Sequence, residues 1–167
     1  MKWYALFVET GREIQIQKWI QYFFDPSECY SVVPKRKSTE KRQGIKHQVI
    51  RTLFPGYVFI KTDMCVEIYY KLARVPNIIR ILNNGFYWSY IEDVEMALIM
   101  KLVGDNGIVD FSKVLLENTK MFVKEGPLQG MEGMIKRADR RKSRATIMLD
   151  FMGEPRMIDL GIDILLN

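Results

Sequence analysis

Residues Thr52–Met64 read TLFPGYVFIKTDM, a proline and a glycine set directly before an aromatic, β-leaning run. Strand alternation puts Tyr57 and Phe59 on one face and Val58 and Ile60 on the other. Phe54-Pro55-Gly56 shapes the entry into that strand. No catalytic group lies in the stretch, so its rings either fill a core or are offered to a partner. Upstream, KWYALFVET is a second aromatic strand, with Trp3, Ala5 and Phe7 sharing a face. Between these strands, Ile16, Trp19, Ile20, Phe23 and Phe24 recur at helical spacing, which predicts a helix over about 11–24. Thr10 and Glu13 suggest a capping box at its start, and Asp25-Pro26-Ser27 ends it. CYSVVP is a further short strand, and 35–51 is expected as a long exposed loop because it lacks periodicity.

Downstream, Asp63 is placed to cap a helix over MCVEIYYKLAR, followed by a strand in VPNIIRIL and a turn at Asn83–Gly85. Ser89 and Glu92 suggest a second capping box opening a helix through about 102. The order strand-helix-strand-strand-helix-strand-helix predicts a split βαβ arrangement in residues 1–103, with helices on an antiparallel sheet. Residues 104–118 are polar and glycine-spaced, which suggests a linker. The stretch 119–167 has short strands between EGPLQG, DRRKS and MGE, as in a small β-barrel. The predicted class is α+β in two domains.

The chain has 167 residues, 48% of them hydrophobic, enough for one ordinary core or a modest core with a small satellite. No apolar run approaches the roughly 18 residues of a membrane span, and no signal-peptide pattern opens the chain. Cys29 and Cys65 carry no motif, which fits a reducing cytosol. Net charge is +5, but its distribution is more informative. Residues 35–51 hold seven Lys/Arg against one Glu, and 134–144 hold six against one Asp, leaving the rest of the chain at −6. Two basic islands on an acidic background point to polyanion contact. The single histidine, His47, reads as a solvated loop residue. No phosphate-cradling loop, metal-ligand spacing or nucleophile constellation is present, and Glu92, Asp93 and Glu95 begin a helix where carboxylates favour the dipole. The expectation is a binding protein without metal or cofactor, not an enzyme.

KWYALFVETG, LFPGYVFIKTDM and RVPNIIRIL in this order, followed by VKEGPLQGMEGMIKRAD, resemble the NusG family of bacterial transcription elongation factors. The resemblance implies an N-terminal NGN domain and a C-terminal, SH3-like KOW barrel, over essentially the whole chain. PKRK, LFPGYVFI, the tyrosine pair of the second helix and LDFMGEPRMIDLGI are most similar to the LoaP antiterminators of long biosynthetic operons. By that resemblance Phe7, Tyr57 and Phe59 line an apolar cavity for the clamp helices of RNA polymerase. Lys35, Arg36, Lys37, Lys41, Arg42, Lys46 and Arg51 form a loop directed toward upstream DNA. Lys136, Arg137, Arg140, Arg141, Lys142, Arg144 and Arg156 would hold a structured hairpin of nascent RNA, where side chains need a bulge or distorted groove to read sequence. The implied protein is a cytoplasmic, monomeric antitermination factor. The alternative is a general elongation factor whose barrel binds protein partners.

Overall fold

The computed structural model describes residues 1–166 and divides into two units. The first comprises Met1–Val33 and Phe54–Ala97, the second Pro34–Leu53 and Leu98–Asn167.

In the first unit, β1 (Lys2–Val8), β2 (Cys29–Val32), β5 (Tyr57–Thr62) and β6 (Ile78–Ile81) form an antiparallel sheet in the order β2-β5-β1-β6. The short β7 (Tyr90–Ile91) pairs with β1 at Trp3 and Tyr4, beyond the stretch that β6 occupies. Helices α1 (Glu13–Phe23) and α2 (Val66–Ala73) belong to the same hydrophobic core. Tyr4, Leu6, Val8, Val58 and Ile60 supply the sheet side of that core, and Ile16, Ile20, Ile68 and Leu72 the helix side. The predicted alternation therefore holds, with the aliphatic face inward and Phe7 directly opposite Tyr57 on the other face.

The predicted capping boxes do not form. Helix α1 starts at Glu13 without a side-chain cap, and the Glu13 carboxylate accepts the N–H groups of Gly11 (2.9 Å) and Gly56 (2.7 Å). This buried carboxylate ties the start of α1 to the Pro-Gly turn. The Tyr57 N–H donates to the Phe54 carbonyl across that turn, and Gly56 has φ +85, as a type II turn requires at its third position. Asp63 pairs with the N-terminal ammonium (2.7 Å) instead of capping α2, and Tyr90–Ile91 is strand where a cap was expected. Helix α3 (Asp93–Val103) follows.

The second unit corrects two expectations. Residues 35–51 are not a loop: β3 (Lys35–Arg42) and β4 (Ile45–Thr52) form an eight-pair hairpin closed at Gln43-Gly44. Both turn residues have positive φ, +50 and +80, matching the right-handed twist of the strands as a type I′ turn does. The stretch 104–118, expected as a linker, carries strand structure. It contains β8 (Ile108–Val109), which pairs in parallel with β3, and β9 (Ser112–Glu117). Strand β9 lies inside a five-stranded half-barrel in the order β10-β9-β13-β12-β11, between β10 (Lys120–Glu125) and β13 (Glu154–Leu165). β11 (Ile135–Asp139) and β12 (Arg144–Phe151) complete it. Strand β13 runs unbroken through PRMIDLGIDIL, where a series of short strands was expected. Its first part pairs with β12 as far as Gly161, and from Ile162 it pairs with β9. Ile147, Leu149, Phe151, Ile158, Leu160 and Ile162 are buried in this unit.

Candidate interaction surfaces

On the face of the first sheet opposite that core the aromatic rings form a connected group. Phe7 and Tyr57 meet edge to face at 5.7 Å, and Tyr57 lies parallel to Phe59 at 6.4 Å. Phe54 packs against Phe59 at 5.5 Å. Of the three rings expected to dock a partner, Phe7 and Tyr57 are half-buried, whereas Phe59 is completely buried. Phe59 therefore supports its neighbours and offers no free surface of its own. Arg80, opposite Phe7 in the register and exposed, holds its guanidinium 5.6 Å from the Phe7 ring. This cation was not singled out in the sequence, although alternation in NIIRIL puts it next to the rings.

The seven basic residues of the hairpin separate into two groups. Arg51 grips Glu40 with two hydrogen bonds of 2.8 Å, and Lys37 pairs with Asp110 at 3.0 Å. The hydrogen bonds from Arg51 hold the Glu40 carboxyl below its usual range, and the Lys37 ammonium does the same for Asp110. Arg36 is half-buried and donates to the Asp159 carbonyl. Burial, then the nearby Arg144 charge, lowers the Arg36 pKa. Lys35 is also half-buried. Lys41, Arg42 and Lys46 lie exposed at the hairpin tip, with Arg42 3.6 Å from Glu40. Only this tip retains the freely solvated character expected for the whole segment.

In the half-barrel, Lys136, Arg137, Arg140, Arg141 and Lys142 are exposed on β11 and the turn into β12. Asp139 accepts the Lys142 backbone N–H (3.0 Å) and so shapes the turn, which lowers its pKa. Arg144 is half-buried and donates to the Thr39 carbonyl of β3 (3.4 Å). Arg156 is half-buried, bonded to the Phe151 carbonyl (3.0 Å) and 3.9 Å from Glu154. These last two arginines are therefore engaged within the fold. The second unit carries eighteen Lys/Arg against eleven Asp/Glu, +7, while the first carries seven against nine, −2. Among the described residues no group of three or more His, Cys, Asp or Glu could hold a metal, and no helix is long and apolar enough to cross a membrane.

Residues 1–100 match the family described as "Transcription termination factor nusG". The chain belongs to the NusG family. Transcription termination/antitermination protein NusG of Staphylococcus aureus strains Mu50 and N315 is 20% identical over 171 residues, spanning 97% of this chain and 93% of the relative. In a solved structure described as "Domain interaction in Thermotoga maritima NusG", the related chain is 22% identical, with a TM-score of 0.57. The match covers 96% of this chain and 93% of that one. At that identity the structural likeness speaks for the fold, an α+β N-terminal region followed by a β domain. The protein is a NusG-type transcription termination/antitermination factor.

Proposed function

We propose that this NusG-family chain is an antitermination factor of the LoaP kind. It rides on RNA polymerase through the face around Phe7 and Tyr57, and it captures a structured hairpin of nascent RNA through the barrel turn. The observation that supports this reading is the placement of rings and exposed cations in different units. An aromatic patch lies on the acidic unit, and the exposed cations Arg140, Arg141 and Lys142 lie on the basic one. Rigid, partly exposed rings anchor a protein partner by desolvation, whereas exposed cations bind phosphate in a salt-dependent way. A factor that prefers the elongating, unpaused polymerase shifts the enzyme toward that state, because a ligand shifts only states it distinguishes. RNA capture would raise its concentration near chosen transcripts in the cytoplasm.

The test pairs Phe7→Ala with Tyr57→Ala. Phe59 is left intact because truncating a fully buried phenylalanine costs about 3–5 kcal/mol and would confound folding with docking. The folded double variant should lose co-migration with RNA polymerase and keep RNA binding. Unchanged co-migration overturns the docking assignment.

One observation favours a second reading, a general elongation factor whose barrel docks proteins. Met148 and Met157 are cross-strand partners and both exposed, and methionine pairs make adaptable protein contacts. RNA binding that shows no preference for any hairpin over scrambled competitors and disappears at moderate salt would favour that reading.

A further inference from the structure

The two basic islands, roughly ninety residues apart in the chain, belong to one unit, and several contacts fasten them together. Arg144, directly after the barrel turn, donates to the Thr39 carbonyl of β3, and Arg36 of β3 donates to the Asp159 carbonyl of β13. Strand β3 also takes β8 as a parallel neighbour. Thr39 lies two residues before Lys41, about 7 Å along an extended strand. Lys41 and Lys142 are therefore separated by roughly 27 Å at most, two such strand steps plus one arginine side chain and its 3.4 Å hydrogen bond to the Thr39 carbonyl. Duplex nucleic acid carries a charge every 1.7 Å of its axis, so that distance faces up to about sixteen phosphates.

The charge arrangement points the same way. Lys41 and Lys46 face each other across the hairpin as direct partners, an unfavourable pairing for like charges unless an anion lies between or above them. Lys41, Lys46, Arg140 and Arg141 make no salt bridge among the described residues. Residues nearer the seam, such as Arg51 and Lys37, do. Arg51 and Lys37 are thus paired with carboxylates, whereas Lys41, Lys46 and Arg141 are not, and Arg140 reaches only the Leu116 carbonyl (3.5 Å).

We infer that Lys41 and Lys46 of the hairpin and Arg140, Arg141 and Lys142 of the barrel turn form one phosphate-binding surface that clasps a single RNA stem. This rests on the RNA-capture reading above and enlarges it, making the hairpin part of the RNA site. Upstream DNA, which the family resemblance implies for the hairpin segment, is the competing occupant. The stem itself would be gripped by its backbone, leaving sequence selection to a bulge or loop beyond it.

The experiment uses the full chain with a hairpin RNA of about 16 base pairs and a DNA duplex of the same sequence. Affinities are measured between 0.1 and 0.5 M salt, roughly the range over which counterion release is readable. Lys41→Ala with Lys46→Ala changes only exposed tip residues, and melting of the variant checks its fold. It should lower RNA affinity about 30-fold near 0.15 M salt and reduce the salt slope by about 2, the loss of two phosphate contacts. Neutralising Arg140, Arg141 and Lys142 should lower it by about 100-fold or more and reduce the slope by about 3. Backbone footprints lost in the two variants should fall on adjacent segments of the same stem. If only the hairpin variant keeps its RNA affinity, or loses DNA affinity instead, the shared surface is refuted while RNA capture by the turn stands. If the turn variant alone is unaffected, or the lost footprints lie on separate stems, the shared surface is likewise refuted. RNA affinity unchanged in both variants overturns RNA capture itself.

Discussion

Gly161→Ala tests the packing of the second unit at its tightest point. Gly161 is the last β13 residue paired with β12, and the next residue begins the pairing with β9. A Cβ there would sit 2.5 Å from two ring carbons of Phe111 and 2.9 Å from the Lys37 carbonyl oxygen of β3. Comfortable carbon contacts lie near 3.5–4.0 Å, so the overlap with the ring is about 1 Å. The ring can swing aside, but the carbonyl belongs to a strand paired on both sides and cannot move alone. Gly161 is not among the residues with positive φ, so the requirement is for space and not for backbone freedom.

Overpacking of this sort costs about 1–3 kcal/mol. For a unit of this size each kcal/mol lowers Tm by roughly 4–8 °C, which predicts a drop of about 4–24 °C. If the strain is relieved by lifting β3, amide protection in the hairpin should fall about tenfold for each 1.4 kcal/mol. Hydrogen exchange and thermal melting of the full chain read both quantities. Gly133→Ala is the control, because nothing lies within 4 Å of the added methyl. A Gly161→Ala protein with wild-type Tm and hairpin protection would refute the close approach of β3 to the corner of β13.

Glu13→Ala strands the N–H groups of Gly11 and Gly56, one of them buried, and should cost about 3 kcal/mol, read as a shift in denaturation midpoint; less than about 1 kcal/mol would mean that the turn needs no clamp. Glu40 and Asp110 have folded pKa values depressed by Arg51 and Lys37, so their contribution is complete above the ordinary carboxylate range near pH 4 and is lost as pH falls below it. Hairpin protection, corrected for intrinsic exchange, should therefore be level from about pH 7 to 5 and decline below about 4. Carboxyl titration by NMR with midpoints at or above the ordinary values would contradict this. Burial pushes the Cys29 thiol up to about 12, while Cys65 is exposed. An aryl disulfide reagent should therefore label one thiol promptly near pH 8, a reaction lost in Cys65→Ser, and the second only in denaturant.

The sheet of the first unit was legible because its strands combine β-branched and aromatic residues with a strict period of two. One register, Phe7 opposite Tyr57, satisfies both faces. The hairpin was not legible, since KRKSTEKR and IKHQVIRT have no apolar alternation, and a strand held by ladder bonds and salt bridges leaves no hydrophobic period. The signal that was available is Gln43-Gly44, a two-residue turn between equal runs. Residues 104–118 misled for a related reason. Two-residue β8 is too short to show a period, and β9 is recognisable only with its neighbours β10 and β13 in place. Of the aromatic site, sequence identified the face but not the depth of Phe59, because alternation gives a side and not a covering. The seam through Arg36, Arg144 and Gly161 depends on contacts more than a hundred residues apart, which no local pattern encodes.

That seam also explains why the tip charges matter. An isolated two-stranded hairpin is marginal in water, and this one adds like-charge partners at Lys41–Lys46 and Arg36–Arg51. Within the second unit, Arg51 on Glu40, Lys37 on Asp110, the β8 ladder and the bonds of Arg36 and Arg144 offset those costs. Every one of them involves β3 or acts no farther toward the tip than Glu40. Beyond that point no salt bridge among the described residues compensates the lysines. If the hairpin served only to cover the barrel, a neutral pair at 41 and 46 would be the more stable choice by a few tenths of a kcal/mol. Keeping two cations there makes sense when their counter-charge arrives with a bound polyanion.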